Sequence, residues 1–282
     1  MTLHIEHHGD VTRLRMSSVG SRVVRLDVSA YVIRGVMIDT GFRHVQRELL
    51  RAARSVGVRG AILTHWHEDH AGNVPALVAS GIPVAMRADT ARILQERPAI
   101  QLYRRVVWGR TPAFRGLPQS FDMSNLECVH TPGHSVDHQV AWDPTTQTLF
   151  SGDLWLGVRA RVLHASEDPY RIVESLRVAL ALEPARMFDA HRGLVERPAT
   201  ALRDKIHWLG KTLATIEERI RRGDSDTQIL NEILGGDELS AVLSRGDYSR
   251  MNMVRAVRAR LSPARTRGVR DSSSSRGDRT GA

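Results

Sequence analysis

Residues Thr64–Asn73 read THWHEDHAGN and follow directly on the apolar run Gly60-Ala61-Ile62-Leu63. Six consecutive residues, His65 to His70, hold three histidines and two acids. A loop that only needed to be soluble has no use for that density of imidazole. Imidazole and carboxylate are donors suited to zinc, iron or manganese. The fold must therefore bury a short strand and carry the cluster at its end. Residues two apart in an extended segment point the same way, so His65 and His67 can reach one ion. Asp69 and His70 follow at once and can reach a second ion close by. Two ions need more than four ligands, and an anion between them to offset their repulsion.

Further donors stand where later strands should end. Thr131-Pro132-Gly133-His134 puts a histidine in a tight turn after the strand-like run Leu126 to His130. Ser151-Gly152-Asp153 puts a carboxylate directly after Thr148 to Phe150, and Asp189-Ala190-His191 closes the run Arg186 to Asp189. Layered α/β folds gather their sites at such C-terminal strand ends.

The rest of the pattern agrees with layers. Strands are expected at Val23 to Val28, at Ala30 to Ile38, at Ile82 to Met86 and at His138 to Trp142. Helices are expected over Gln46 to Val56, Asn73 to Ser80 and Tyr170 to Leu182. Residues 90 to 122 begin helix-prone at Ala91 to Glu96. They then carry Tyr103, Arg104, Arg105, Trp108 and Phe114 among prolines and glycines, an irregular insert. Beyond Pro198, Leu202, Ile206, Leu209, Leu213, Ile216 and Ile220 form the stripe of a long helix. Ser225 or Asp226 can cap the next helix, which stops at Gly235-Gly236, and a last one covers Ser249 to Leu261.

Together these residues resemble the metallo-β-lactamase superfamily, whose signature is a His-x-His-x-Asp-His loop followed by separate His, Asp and His ligands. The resemblance covers Val23 to His191. It implies an α/β, four-layer αββα sandwich, here with a helical C-terminal extension. By the same resemblance His65, His67 and His134 hold a first metal, Asp69, His70 and His191 a second, and Asp153 bridges them. Asp39, in the Asp-Thr-Gly turn, matches a family acid that orients the histidine loop from behind the ligands. The implied cofactor is two zinc ions per chain, with iron or manganese as alternatives. The implied chemistry is metal-dependent hydrolysis, in which a hydroxide bridging two metal ions attacks an acyl substrate (a thioester, lactone or related ester or amide). Water on such an ion has its pKa lowered to about 7, and Asp69 serves as the catalytic acceptor of a hydrogen bond or proton.

Two other activities fit the same ligands. The stretch TPGHSVDH, the basic charge and the helical extension resemble the lactamase-like endoribonucleases. The persulfide dioxygenases share the ligand positions but use one iron. No secretion signal speaks for a β-lactamase, and an intact ligand set speaks against a decayed binding module.

Composition narrows the class further. The chain has 282 residues, 41% of them apolar, and a formal charge of +9 in which only Lys205 and Lys211 are lysines. Three domains are read: a catalytic domain over 1–197, the helical extension over 198–261 and a disordered basic tail over 262–282. The charge suits an anionic substrate or nucleic acid equally. The partner expected is a small molecule, with nucleic acid a less favoured alternative, no membrane, and a homo-oligomer allowed by the apolar stripe. Neither a signal peptide nor a membrane-length apolar run is present, so a cytoplasmic enzyme is expected.

Weaker signals remain. His138 is read as a contact behind the ligands or to substrate, with a core histidine as the plain alternative. Arg159, Arg161 and His164, shortly after Asp153, are the candidates for binding an anionic substrate. His4, His7 and His8 belong to a solvated first strand, and Cys128, the only cysteine, is read as buried and structural.

Overall fold

Alternation along the strands divides their side chains between three apolar clusters, and that division sets the architecture. The computed structural model describes residues 2–23, 26–96, 99–160 and 162–262. One sheet runs β1 (Thr2–His8), β2 (Val11–Ser17), β3 (Val28–Ile33), β4 (Val36–Ile38), β5 (Gly60–Ile62) and β6 (Val84–Ala85) in that spatial order. Its first four strands are an antiparallel meander, and β5 and β6 join in parallel. The other sheet contains β7 (Glu127–His130), β8 (Gln139–Asp143) and β9 (Thr148–Phe150). A two-residue strand β10 (Leu163–His164) then pairs elsewhere, and β11 (Arg186–Asp189) and β12 (Gly193–Val195) complete the order β12-β11-β9-β8-β7. β10 pairs with β13 (Tyr248–Ser249) near the end of the chain.

Tyr31, Ile33, Val36, Ile38 and Ile62 of the first sheet share a buried cluster with Ala141, Phe150 and Phe188 of the second. Their chain neighbours Ala30, Val32, Met37 and Ala61 face the other way, as strand geometry requires. There they meet helices of the first half. Those helices are α1 (Val19–Val23), α2 (Gln46–Ser55), α3 (Glu68–Ala71), α4 (Val74–Ala79), α5 (Ala88–Glu96) and α6 (Leu102–Val107). Val140, Leu149 and Met187 turn outward from the second sheet in the same manner. They are covered by α7 (Pro169–Ala181), α8 (Pro198–Arg221), α9 (Asp226–Leu234) and α11 (Met251–Leu261), while α10 (Leu239–Leu243) leads toward β13. The layers are thus helix, sheet, sheet, helix. The C-terminal helices share one core with the second sheet.

Helix boundaries follow local chemistry. Asp168 accepts hydrogen bonds from the amides of Tyr170 and Arg171, with Pro169 opening α7. Ser225 and Gln228 form a reciprocal capping box at α9, which Gly235 ends in the left-handed conformation. Among the described residues no helix is long and apolar enough to cross a membrane.

Four expectations change. The strand expected at Ala30 to Ile38 is two antiparallel strands, β3 and β4, joined by a turn at Arg34-Gly35 where both residues take positive φ. The strand expected at Val23 to Val28 is instead the end of α1 followed by a strand that begins at Val28. Ser18 and Ser21 exchange hydrogen bonds of 2.8 and 2.9 Å through hydroxyl and amide, a local pattern that winds the chain into a helical turn. The irregular insert contains α6, which is docked on α1 where the Ser18 hydroxyl donates to Val107 O at 3.0 Å. Cys128 is exposed rather than buried, because β7 is the edge of its sheet. The histidines of β1 also lie on an edge strand. The basic tail from 263 onward falls outside the described residues.

Candidate metal centre

The histidine loop is held from behind by Asp39, which follows β4 in a left-handed conformation with φ 62°. Its Oδ1 accepts from the Thr64 amide at 2.8 Å and its Oδ2 from His70 Nδ1 at 2.7 Å. The Thr64 hydroxyl also donates to this carboxylate, at 2.9 Å. That hydroxyl has one proton, so His65 Nδ1, 3.0 Å away, must be the donor to it. Two ligand orientations thus follow from one buried acid. Gly72 lets the turn close: a Cβ there would stand 2.5 Å from Glu68 O and 2.7 Å from Gly41 O.

The other histidines are fixed in the same way. His134 Nδ1 lies 2.6 Å from Glu167 Oε1, and His191 Nδ1 donates to Asp27 O at 2.7 Å. The outer nitrogen of His65, His70, His134 and His191 is therefore spent on a proton. In the neutral imidazole, the form that binds metal, the inner Nε2 of each then presents a lone pair.

These lone pairs converge. His67 Nδ1 is 3.0 Å from both His65 Nε2 and His134 Nε2. One proton on His67 could satisfy only one of them. Asp153 stands between two groups: Oδ2 is 3.3 Å from His134 Nε2, and Oδ1 is 3.2 Å from His70 Nε2 and 3.3 Å from His191 Nε2. Asp69 Oδ2 completes the second group, 3.5 Å from His191 Nε2 and 3.8 Å from His70 Nε2. The donor atoms of His65, His67, His134 and Asp153 lie within 4.8 Å of one another, as do those of Asp69, His70 and His191. His70 Nε2 and Asp153 Oδ1, though 3.2 Å apart, are buried without a well-formed hydrogen bond to each other or to any other group among the described residues. A cluster of aimed lone pairs short of protons fits divalent cations.

The electrostatics say the same. Burial holds His65 and His67 well below the usual imidazole range, in the neutral form that binds metal. Burial also works against a charged His191, yet Asp153 and Asp69 hold it up at about 9. The carboxylates of this half of the site draw in positive charge.

His138 lies behind Asp153. Its Nδ1 faces the Thr131 hydroxyl at 2.9 Å, and its Nε2 accepts from the Asp153 amide at 3.2 Å. Burial pulls it down to about 3, so it acts as a neutral acceptor. Gly152, with φ 51°, leaves it room, since a Cβ there would come within 2.8 Å of its Nε2.

The residues read as an anion contact are not brought together. Arg159 is exposed and makes no ion pair among the described residues, and Arg161 falls outside them. His164 borders the site, its ring 6.4 Å from that of His67, but its Nε2 faces Asp247 at 3.1 Å. Of the aromatics of the insert, Trp108 and Phe114 are packed in the first core.

Sequence reading missed several participants. Glu167 holds His134, but nothing in its spacing ties it to that histidine. Glu68, between His67 and Asp69 in sequence, forms a buried ion pair with Arg104 at 2.7 Å, and Arg104 lies over Trp66. Lys205, from α8, is buried and donates to Trp155 O just beyond Asp153, and burial pulls its ammonium down to about 8. A lysine on the apolar side of a helix was the available signal.

Comparison with known proteins gives a consistent picture. The family described as the metallo-beta-lactamase superfamily matches residues 23–204. The beta-lactamase-like protein 2 homolog of Drosophila melanogaster is 29% identical over 67% of this chain and 68% of its own length. The lactamase-like protein nscB of Trichophyton verrucosum is 33% identical over 48% of this chain, and the match spans only 42% of that relative. Among solved structures, a metallo-beta-lactamase family protein of Thermus thermophilus has a TM-score of 0.64 at 15% identity, covering 88% of this chain and 91% of that one. The metallo-beta-lactamase FIM-1 of Pseudomonas aeruginosa, solved in a mono-zinc form, has a TM-score of 0.60 at 18% identity, covering 75% and 96%.

Proposed function

The chain belongs to the metallo-beta-lactamase superfamily, and from that premise we propose that it hydrolyses an acyl substrate, a thioester, lactone or related ester or amide, at a two-zinc centre. Members of this superfamily are hydrolytic enzymes, and the His/Asp cluster here could bind metal. The observation that carries the finer reading is the division of the Asp153 carboxylate, one oxygen to His134 and the other to His70 and His191.

His65, His67 and His134 would hold one ion, Asp69, His70 and His191 the other, with Asp153 shared between them. Mixed imidazole and carboxylate donors suit zinc. Bound there, divalent ions would polarise the acyl carbonyl and acidify water to a pKa of about 7. The chain's own groups set the geometry for that chemistry. Asp39, Glu167 and the Asp27 carbonyl keep three imidazoles turned inward. His138 holds the Asp153 backbone in place. Asp69 would take a proton from the nucleophile and return it to the leaving group.

Elemental analysis of protein purified without added metal or chelator tests this reading, together with hydrolysis of a thioester, lactone and ester panel. About two zinc ions per chain and turnover of a panel member are expected. Replacing Asp153 with alanine should abolish both metal pairing and turnover. About one iron per chain without zinc would overturn the hydrolytic reading in favour of oxygen chemistry on sulfur.

A further inference from the structure

Two distant pieces of chain build one wall beside His67. The insert contributes Tyr103 and Arg104 from α6, and the C-terminal part contributes Asp247 and Tyr248. β13 reaches the site because it pairs with β10, with His164 opposite Tyr248 and Leu163 opposite Ser249. The His164 ring, 6.4 Å from His67, carries Tyr248 edge-on at 5.0 Å, and Tyr103 lies edge-on to Tyr248 at 6.2 Å.

Asp247 and Arg104 of this wall are committed to partners inside the protein. Asp247 accepts from the Tyr103 hydroxyl at 2.8 Å through Oδ2 and faces His164 Nε2 at 3.1 Å through Oδ1. Arg104 donates twice to Glu68 Oε2, at 3.1 and 2.7 Å. Among the described residues the Tyr248 hydroxyl has no hydrogen-bond partner. Yet its ring is held on two sides and its backbone by strand pairing. A half-buried donor fixed this firmly, with no protein acceptor, is pre-organised for a ligand oxygen that displaces its water.

We propose that Tyr248 contacts substrate in the same site, its hydroxyl donating a hydrogen bond to an acceptor oxygen of the acyl compound. This rests on the hydrolase reading above. The C-terminal part of the chain thereby acts in recognition as well as in packing. Burial pushes the phenol far above the usual tyrosine range, so it remains a donor wherever the fold persists.

Tyr248→Phe removes the hydroxyl and keeps the ring. The probes are S-benzyl thioacetate for turnover and benzylacetone, its non-hydrolysable ketone isostere, for binding, both on zinc-loaded protein. Loss of one neutral hydrogen bond lowers kcat/KM about three- to tenfold and raises the benzylacetone Kd by a similar factor. Zinc content and Tm should stay as in the wild type. Tyr170→Phe, whose hydroxyl donates to Glu217 at 2.6 Å in the second core, should match the wild type in both readouts. Unchanged kcat/KM and Kd in Tyr248→Phe would overturn the proposal and leave water as that hydroxyl's partner. Wild-type protein that cleaves no panel member but binds benzylacetone more tightly than Tyr248→Phe would sink hydrolysis and leave Tyr248 standing. Wild-type protein that does neither overturns both.

Discussion

The Asp39 carboxylate accepts from His70 Nδ1 at 2.7 Å, while its other oxygen holds the Thr64 amide at 2.8 Å. One buried acid thus ties together both ends of the histidine loop. An Asp39→Asn variant keeps the shape but turns one acceptor into a donor, which then opposes either His70 or Thr64. Asparagine tolerates the left-handed backbone found here, so the effect lies in the side chain. Zinc affinity should fall about 10–100-fold, read by competition with a chromogenic chelator. Wild-type affinity would mean that something else orients His70.

Arg104 and Glu68 are a second buried pair, with side chains 6% and 3% exposed. Removing the guanidinium in Arg104→Met strands a buried carboxylate, that of Glu68, between His67 and Asp69 in sequence. The expected cost is about 3–5 kcal/mol of stability, measured by urea unfolding. Arg104→Lys should recover only part, because an ammonium cannot reproduce the forked geometry. Adding Glu68→Gln to Arg104→Met should restore stability relative to the single variant. A wild-type unfolding curve for Arg104→Met would contradict this account.

How much of this was legible in the chain depends on the range of the interaction. His65, His67, Asp69 and His70 announce themselves because their spacing is local, and His134, Asp153 and His191 because each closes a strand-like run. Asp39 could be read only by resemblance. Glu167 and Asp27 could not be read, since their bonds to His134 and His191 join residues far apart with no shared pattern. The exposure of Cys128 is likewise tertiary, because a strand's own residues do not say whether it will be an edge. Val23 misled for a local reason: its β-branched neighbourhood favours strand, but the Ser18–Ser21 exchange closes a helical turn first.

Asp143 gives a pH dependence remote from the centre. Burial alone would raise its carboxyl, but hydrogen bonds from Arg34 at 2.9 Å and Thr146 at 2.5 Å outweigh it and hold the group below its usual range. A carboxyl depressed in the folded state stabilises the fold above its unfolded pKa, and loses that contribution as pH falls through the folded value. Asp143→Asn should therefore lower Tm at neutral pH. The gap to the wild type should close below pH about 4. A gap that is constant from neutral to acid pH would show that the ion pair with Arg34 contributes nothing.

Metal removal should act on stability as well as on catalysis. His70 Nε2 and Asp153 Oδ1 are buried 3.2 Å apart with no well-formed hydrogen bond, and the neighbouring histidines turn lone pairs toward one another. Without a cation the folded state must bear that repulsion or take up protons. The unfolded chain escapes it. A ligand present at a thousandfold over its Kd adds about 4 kcal/mol to the folded state, which for a chain of this size raises Tm by roughly 10 °C. Chelation with EDTA should therefore lower Tm by about that much, and zinc should restore it. Asp153→Ala should show a far smaller response, since it has lost the carboxylate that joins the two groups. If wild-type Tm ignores both chelator and zinc, the cluster is not a metal site, and the hydrolytic reading built on it falls with it.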